Sequence, residues 1–263
     1  MIQEIGFVRD IRKIRSAIFR LLLDLPAIAK VARPGQFLHL LTPSTPGVLL
    51  RRPLSIAGIQ DSAVDLLIRV IGMGTEAISH FAIGDRADAI GPLGSKFDHD
   101  DAEIHLLVGG GVGAAPLMFW QDELKRAGRE AIFFLGAKTL EEFPLAEDEV
   151  SARGVIACTD DGSFGQAGLV SKSFEKYLRR HAAAKSRIFS CGPVPMMKEI
   201  SRICAAYRLP HQVSLENRMG CGIGICQGCA LKLNKDDDRG GYRLICKDGP
   251  VFDAVSIDWS LIY

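Results

Sequence analysis

Ile104-His-Leu-Leu-Val-Gly-Gly-Gly-Val-Gly-Ala-Ala-Pro116 decides how the rest of the chain is read. Five residues suited to a buried strand run into a cluster of glycines, and a helical pattern follows to about Lys125. Strand, glycine turn and helix make a βα unit. The segment 104–120 is apolar enough to raise the question of a membrane span. It is short for one, however, and Gly109, Gly110, Gly111, Gly113 and Pro116 interrupt it, so a strand, a turn and a helix start explain it better.

Downstream the same alternation continues. Apolar strands are predicted at 131–135, 154–158 and 187–191, and amphipathic helices at 171–180 and 195–207. This describes a doubly wound parallel sheet, in which a ligand lies outside the carboxyl ends of the strands. A nicotinamide dinucleotide is the expected occupant, with Gly110, Gly111 and Gly113 letting its pyrophosphate meet the backbone. Pro116 stands where the third glycine of G-x-G-x-x-G would be, so a tight strand-to-helix connection explains the turn nearly as well.

Two further strand ends, Cys191-Gly192-Pro193 and the loop 160–165, should face the same crevice. Cys191 is placed beside the nicotinamide or, as the plainer alternative, is a small core residue; Cys158 and Cys204 are read as core. In the loop after the second strand, Lys138 could meet a 2′-phosphate, yet Glu141 and Glu142 would repel one, which favours NAD over NADP.

Upstream, short apolar runs separated by turn formers, with further runs at 64–71 and 85–90, predict a small antiparallel β-barrel. The segment 91–94 reads as linker turn chemistry. Two barrel loops suit a dinucleotide phosphate. In the first, Arg52 can fork onto phosphate oxygens, Pro53 fixes the start of a strand, and Ser55 offers a hydroxyl. In the second, Gly74 and Thr75 begin a short helix whose free N–H groups favour an anion. Leu54 and the triplet Leu67, Ile68 and Arg69 then flank a flavin ring, with strand core as the alternative reading.

Near the carboxyl end stands Ser214-Leu-Glu-Asn-Arg-Met-Gly-Cys-Gly-Ile-Gly-Ile-Cys-Gln-Gly-Cys229. Cys221, Cys226 and Cys229 follow a C-x4-C-x2-C spacing, and Cys246 arrives alone, which is the plant-type arrangement for a [2Fe-2S] cluster held by four thiolates. A structural zinc site more often draws on two close cysteine pairs, so zinc is the competing reading. With only about fifty residues around it, the cluster should act as a staple. The loop 234–241 is given no role.

The expected fold is multidomain β plus α/β: a small antiparallel, dinucleotide-binding β-barrel at 1–98, a Rossmann-like NAD domain at 99–211 and a [2Fe-2S] domain at 212–263. A net charge of +1, with 24% charged residues, gives no reason to propose nucleic acid or a membrane as partner. No secretory signal pattern opens the chain, so a cytoplasmic protein is expected.

Arg52-Pro-Leu-Ser55, Gly74-Thr75, the glycine turn, Cys191-Gly-Pro193 and the cysteine loop stand in the order found in ferredoxin reductase-like flavoproteins, a resemblance that covers nearly the whole chain. Within that superfamily, the cysteine loop and the ending Cys246-Lys-Asp-Gly-Pro-Val-Phe252 resemble the electron-transfer subunits of dihydroorotate dehydrogenase B. The resemblance implies FAD in the barrel, NAD as electron acceptor, and a cluster between FAD and an FMN-containing dihydroorotate dehydrogenase catalytic subunit. It also implies a heterotetramer with two of each chain, serving pyrimidine biosynthesis.

Leu54 replaces the tyrosine common in plant-type reductases, so this position supplies no aromatic lid. No acid or base residue is assigned, because the cofactors carry the redox chemistry. The alternatives are a reductase subunit of another flavin complex, of the sulfhydrogenase or bifurcating ferredoxin-NADP reductase type, and a nonenzymatic zinc-bearing adaptor.

Overall fold

The computed structural model describes residues 1–43, 46–98, 101–181, 185–234 and 240–262. The first unit contains β1 (Ile2–Arg15), β2 (Ile18–Asp24), helix α1 (Pro26–Val31), β3 (Phe37–Leu40), β4 (Arg52–Gln60), β5 (Ala63–Arg69), helix α2 (Met73–Ser79) and β6 (Arg86–Leu93). Its six strands close into an antiparallel barrel in the order β1-β2-β5-β4-β3-β6. Period-two alternation drives the closure. Leu21 and Leu23, Leu38 and Leu40, Leu54 and Ile56, and Val64, Leu66 and Ile68 all point into one interior. Of the segment 91–94, read as linker turn chemistry, residues 91–93 are the end of β6, with Gly91 paired to β1 and Leu93 to β3.

The second unit alternates β7 (Ile104–Gly110), helix α3 (Ala114–Arg126), β8 (Glu130–Ala137), helix α4 (Glu147–Arg153), β9 (Ile156–Thr159), the two-residue β10 (Gln166–Ala167), helix α5 (Val170–Arg180), β11 (Ser186–Cys191), helix α6 (Val194–Tyr207) and β12 (His211–Ser214). The chain then forms a hairpin of β13 (Ala230–Lys232) and β14 (Tyr242–Leu244), and ends with β15 (Val251–Asp253). The sheet order is β10-β9-β8-β7-β11-β12-β15, with every pair parallel except β12 with β15.

The expected boundary at 211/212 therefore falls inside β12, and the carboxyl-terminal segment supplies an edge strand to the nucleotide-type sheet. A fifty-residue segment with little core of its own gains burial by borrowing a neighbour's edge. The loop 234–241, left without a role, lies mostly outside the described residues.

Helix α3 welds barrel to sheet. All residues from Ala114 to Gln121 are buried, because Phe119 enters the barrel core while Leu117, Met118 and Trp120 pack with Phe97, Phe133 and Phe189. A helix that is apolar on every side needs cover on every side. The outward faces of β4 and β5, carrying Ala57 and Leu67, provide part of it. A charged clasp reinforces the joint: Arg20 pairs with Asp65 at 2.5 Å and with Glu149 at 2.7 Å, and Arg153 pairs with Glu149 at 3.2 Å and Asp122 at 2.8 Å.

The cluster segment seats on the other outer face of the barrel. Phe37 of β3 and Leu93 of β6 join Cys229, Leu231, Ile245, Cys246 and Phe252 in one apolar group. Gly94 meets this segment so closely that a Cβ there would stand 2.5 Å from Pro250.

Candidate functional site

Of the four candidate cysteines, Cys221, Cys226 and Cys229 share one loop whose backbone points at sulfur, and Cys246 follows β14. Amide N–H groups of Ile223, Ile225 and Cys226 donate to Cys221 Sγ at 3.5, 3.3 and 3.4 Å, and the Cys246 amide donates to Cys229 Sγ at 3.4 Å. Gly222 and Gly224 adopt φ of +72° and +84°, the left-handed turns that let consecutive amides converge. Burial raises the Cys221 thiol, but the three amides outweigh it and bring its pKa down to about 6. Cys246, deeper and beside Cys229, is pushed up to about 12 by burial first and by that neighbour second.

The Cys221 thiol lies beside that of Cys226, and the Cys246 thiol beside that of Cys229 and near enough to Cys221 to be raised by it as well. Among the described residues, no three His, Cys, Asp or Glu side chains are gathered as a group for one metal ion. Four thiols drawn together around one amide-lined loop fit the donor set of a [2Fe-2S] cluster. Cys226 is exposed and Cys221 half-buried, whereas Cys229 and Cys246 are buried.

On the barrel, Arg52 arches over the start of α2, where a Cβ on Gly74 would lie 2.0 Å from Arg52 Nε. Only glycine permits that approach, so the guanidinium and the Gly74 backbone form one polar corner that fits a phosphate group of FAD. Thr75 plays a different part from the one expected. Its Oγ1 accepts hydrogen bonds from the Ile71 amide at 2.9 Å and the Gly72 amide at 3.3 Å, so it shapes the loop. Pro53 and Ser55 are half-buried on the outer face of β4.

Leu54 and Ile68 point into the barrel interior and Leu67 packs toward α3, so only the main chain of these three can serve a flavin. Alternation along a strand turns every second side chain away from any ligand on one face, which the apolar runs conceal. Arg69, at the end of β5, pairs with Glu142 at 3.0 Å.

A cavity of about 350 Å³ opens at the carboxyl ends of β7, β8, β9 and β11, lined by Gly110, Gly111, Lys138, Asp160, Pro193 and Met196 among others, with Arg69 and Glu142 at its rim. The position is the one a nucleotide takes in such sheets. The Ala114 amide at the start of α3 is taken by the Gly111 and Val112 carbonyls, and no side chain caps the short 3-10 turn Gly111–Gly113 that leads into the helix.

The glycines divide in role. Gly111 has φ of +53° and open space beside it, whereas a Cβ on Gly113 would stand 2.5 Å from the Cys191 carbonyl oxygen, and one on Gly110 would stand 2.7 Å from Pro193. Gly113 is therefore a packing glycine between two strand ends. Cys191 is fully buried in the sheet core, where its thiol is raised by burial, so its side chain does not line the cleft. Gly192 at φ +151° and Pro193 bring the backbone to the rim instead. Cys158 and Cys204 are buried as expected.

Sequence reasoning missed His39. It sits on β3 with 1% exposure, and a Cβ on Gly222 of the cysteine loop would lie 2.5 Å from its Nε2. The only sequence signal was a polar residue inside the apolar run 37–40.

The iron-sulfur cluster binding domain of dihydroorotate dehydrogenase B matches residues 216–258. The electron transfer subunit of dihydroorotate dehydrogenase B (NAD(+)) from Desulforamulus reducens is 38% identical over 240 residues, covering 90% of each chain. The chain belongs to this family. The electron transfer subunit of Streptococcus mutans is 34% identical over 252 residues, covering 94% of each chain. As an electron-transfer subunit, the chain is an oxidoreductase component.

Among solved structures, the NADH-dependent reduced ferredoxin-NADP oxidoreductase described for flavin-based electron bifurcation superposes with a TM-score of 0.85 at 29% identity, covering 97% of this chain and 90% of that one. The ferredoxin reductase of carbazole 1,9a-dioxygenase, at 21% identity and a TM-score of 0.66 over 80% of this chain and 67% of its own, shares the fold. No described helix is long and apolar enough to cross a membrane.

Proposed function

We propose that this chain takes electrons from an FMN-containing dihydroorotate dehydrogenase catalytic subunit and delivers them through a [2Fe-2S] cluster and FAD to NAD+, in pyrimidine biosynthesis. The assembly is a cytoplasmic heterotetramer with two of each chain. When bound, the flavin and the cluster supply the exchange between hydride and single-electron transfer.

The residues divide the work. Cys221, Cys226, Cys229 and Cys246 hold the iron, and the amides of 223, 225 and 226 offset negative charge on sulfur. Arg52 and the Gly74 corner hold FAD phosphate; Pro53, Ser55 and the main chain of 54 and 67–69 border the ring. Gly110, Gly111, Gly192 and Pro193 border NAD, and Gly113 and Cys191 keep the strand ends that carry them together.

One observation carries this reading. The same small barrel presses β3 against the cysteine segment and places Arg69, the last residue of β5, at the rim of the nucleotide cleft. A group held along β4 and β5 therefore stands between the two. Anaerobic purification with and without the FMN partner, followed by an assay of dihydroorotate-dependent NAD+ reduction, tests it: activity that needs both chains is expected.

The likeness to the bifurcating oxidoreductase over 97% of this chain favours a second reading, a reductase subunit of that kind of complex. Oxidation of NADH by artificial dyes, with no effect of the dihydroorotate dehydrogenase partner, would support it instead.

A further inference from the structure

Between the flavin strand and the cysteine loop stands one polar side chain that the relay leaves unused. On the ladder His39 of β3 is paired with Pro53 of β4, and its ring reaches outward to Gly222, the residue after Cys221. His39 Nε2 is buried and finds no hydrogen-bond partner among the described residues. Phe37 lies 5.8 Å away, ring to ring, and supplies no acceptor.

Burying a ring nitrogen without a partner is unfavourable, so its placement calls for an acceptor or donor that arrives later. An imidazole nitrogen that carries its proton is a donor, and a sulfur atom is an acceptor that such a donor can meet. Gly222 adopts φ of +72° and has no Cβ, so nothing but main chain separates Nε2 from the loop that carries Cys221.

We propose that His39 is a positioning residue for the cluster, donating a hydrogen bond from Nε2–H to the sulfur atoms held at the Cys221 side and setting how readily the cluster accepts an electron. The amides at 223, 225 and 226 serve Cys221 from within its own loop; His39 serves it from the barrel and so ties the cluster's potential to the strand that flanks the flavin. A donor to sulfur stabilises the reduced form, whose extra electron sits largely on iron and sulfur, and raises the potential. This inference rests on the [2Fe-2S] reading of the four cysteines.

The test uses the anaerobically purified full chain with flavin and cluster in place. A mediated redox titration read by electron paramagnetic resonance compares the native protein with His39→Leu and His39→Gln. His39→Leu should shift the electron's partition away from the cluster by threefold to tenfold, tenfold being about 59 mV for a one-electron couple. His39→Gln, whose amide can still donate, should stay within about threefold of native. Pulsed resonance on native protein labelled with 15N-histidine should show an imidazole nitrogen coupled to the reduced cluster, a signal that His39→Gln abolishes.

An unchanged potential in a cluster-bearing His39→Leu protein, or a native cluster signal with no histidine coupling, overturns the role of His39 alone. If both variants lose the cluster, the native labelling decides. A native preparation with neither sulfide nor a paramagnetic signal overturns the relay itself.

Discussion

The molecule has two glycine-rich loops, and they use glycine for opposite ends. In the cysteine loop, Gly222 and Gly224 turn the backbone through positive φ so that neighbouring amides face a sulfur atom. At the β7–α3 turn, Gly110 and Gly113 are squeezed against Pro193 and the Cys191 carbonyl, and only Gly111 faces open space. A glycine run thus signals a tight backbone; the surrounding atoms say whether the tightness serves a ligand or another strand.

The sharpest way to break this contrast is Cys226→Ser. Removing one of four thiolates should abolish iron, inorganic sulfide and cluster absorbance while flavin remains, because the FAD corner at Arg52 and Gly74 shares no atom with that loop; metal analysis and the visible spectrum check this. Loss of flavin alone would contradict the division of labour between barrel and tail.

Next in size comes Gly113→Ala. The added methyl meets main-chain atoms of Cys191 and Gly192 at 2.5–2.7 Å, which cannot rotate away, so a loss of about 1–3 kcal/mol of stability is expected. Gly111→Ala, with open space but φ of +53°, should cost about 1 kcal/mol and act mainly on nucleotide affinity. Thermal unfolding set beside NADH titration separates the two.

A smaller effect concerns pH on the sheet side. His211 is buried, bonded through Nε2 to Ser190 Oγ at 2.8 Å, and burial brings its pKa down to about 3. The unfolded chain takes up a proton below about pH 6.5 that the folded one refuses. Its contribution to stability is therefore complete above that value and is lost at roughly 1.4 kcal/mol per pH unit as the pH falls toward 3. Unfolding measured from pH 7 to 5 should show a shallower acid slope in His211→Gln.

Smallest of all is Arg69→Ala. The pair with Glu142 is about a third exposed on both sides, so stability should move by less than about 1 kcal/mol. Nucleotide affinity is the more sensitive readout, because both side chains stand at the cleft.

Much of this was legible in the chain itself. Cysteine spacing is a local pattern that the fold cannot rearrange, and the alternation of strand and helix after residue 104 needed only periodicity. What stayed hidden depended on partners distant in sequence. Strand β15 belongs to a sheet begun about 150 residues earlier, so a boundary drawn at 211/212 cut through β12. The inward turn of Leu54 and Ile68, the core position of Cys191 and the use of Thr75 within its own loop follow from strand register and burial, which a list of apolar residues does not contain. His39 was invisible for the same reason: its meaning comes from Gly222, far along the chain.

The claim on which the rest depends is that the four cysteines hold a [2Fe-2S] cluster. Iron, zinc and acid-labile sulfide measured on an anaerobic preparation, with a paramagnetic resonance spectrum after dithionite, address it directly. About two irons and two sulfides per chain with a one-electron signal are predicted; one zinc, no sulfide and no signal would contradict the account.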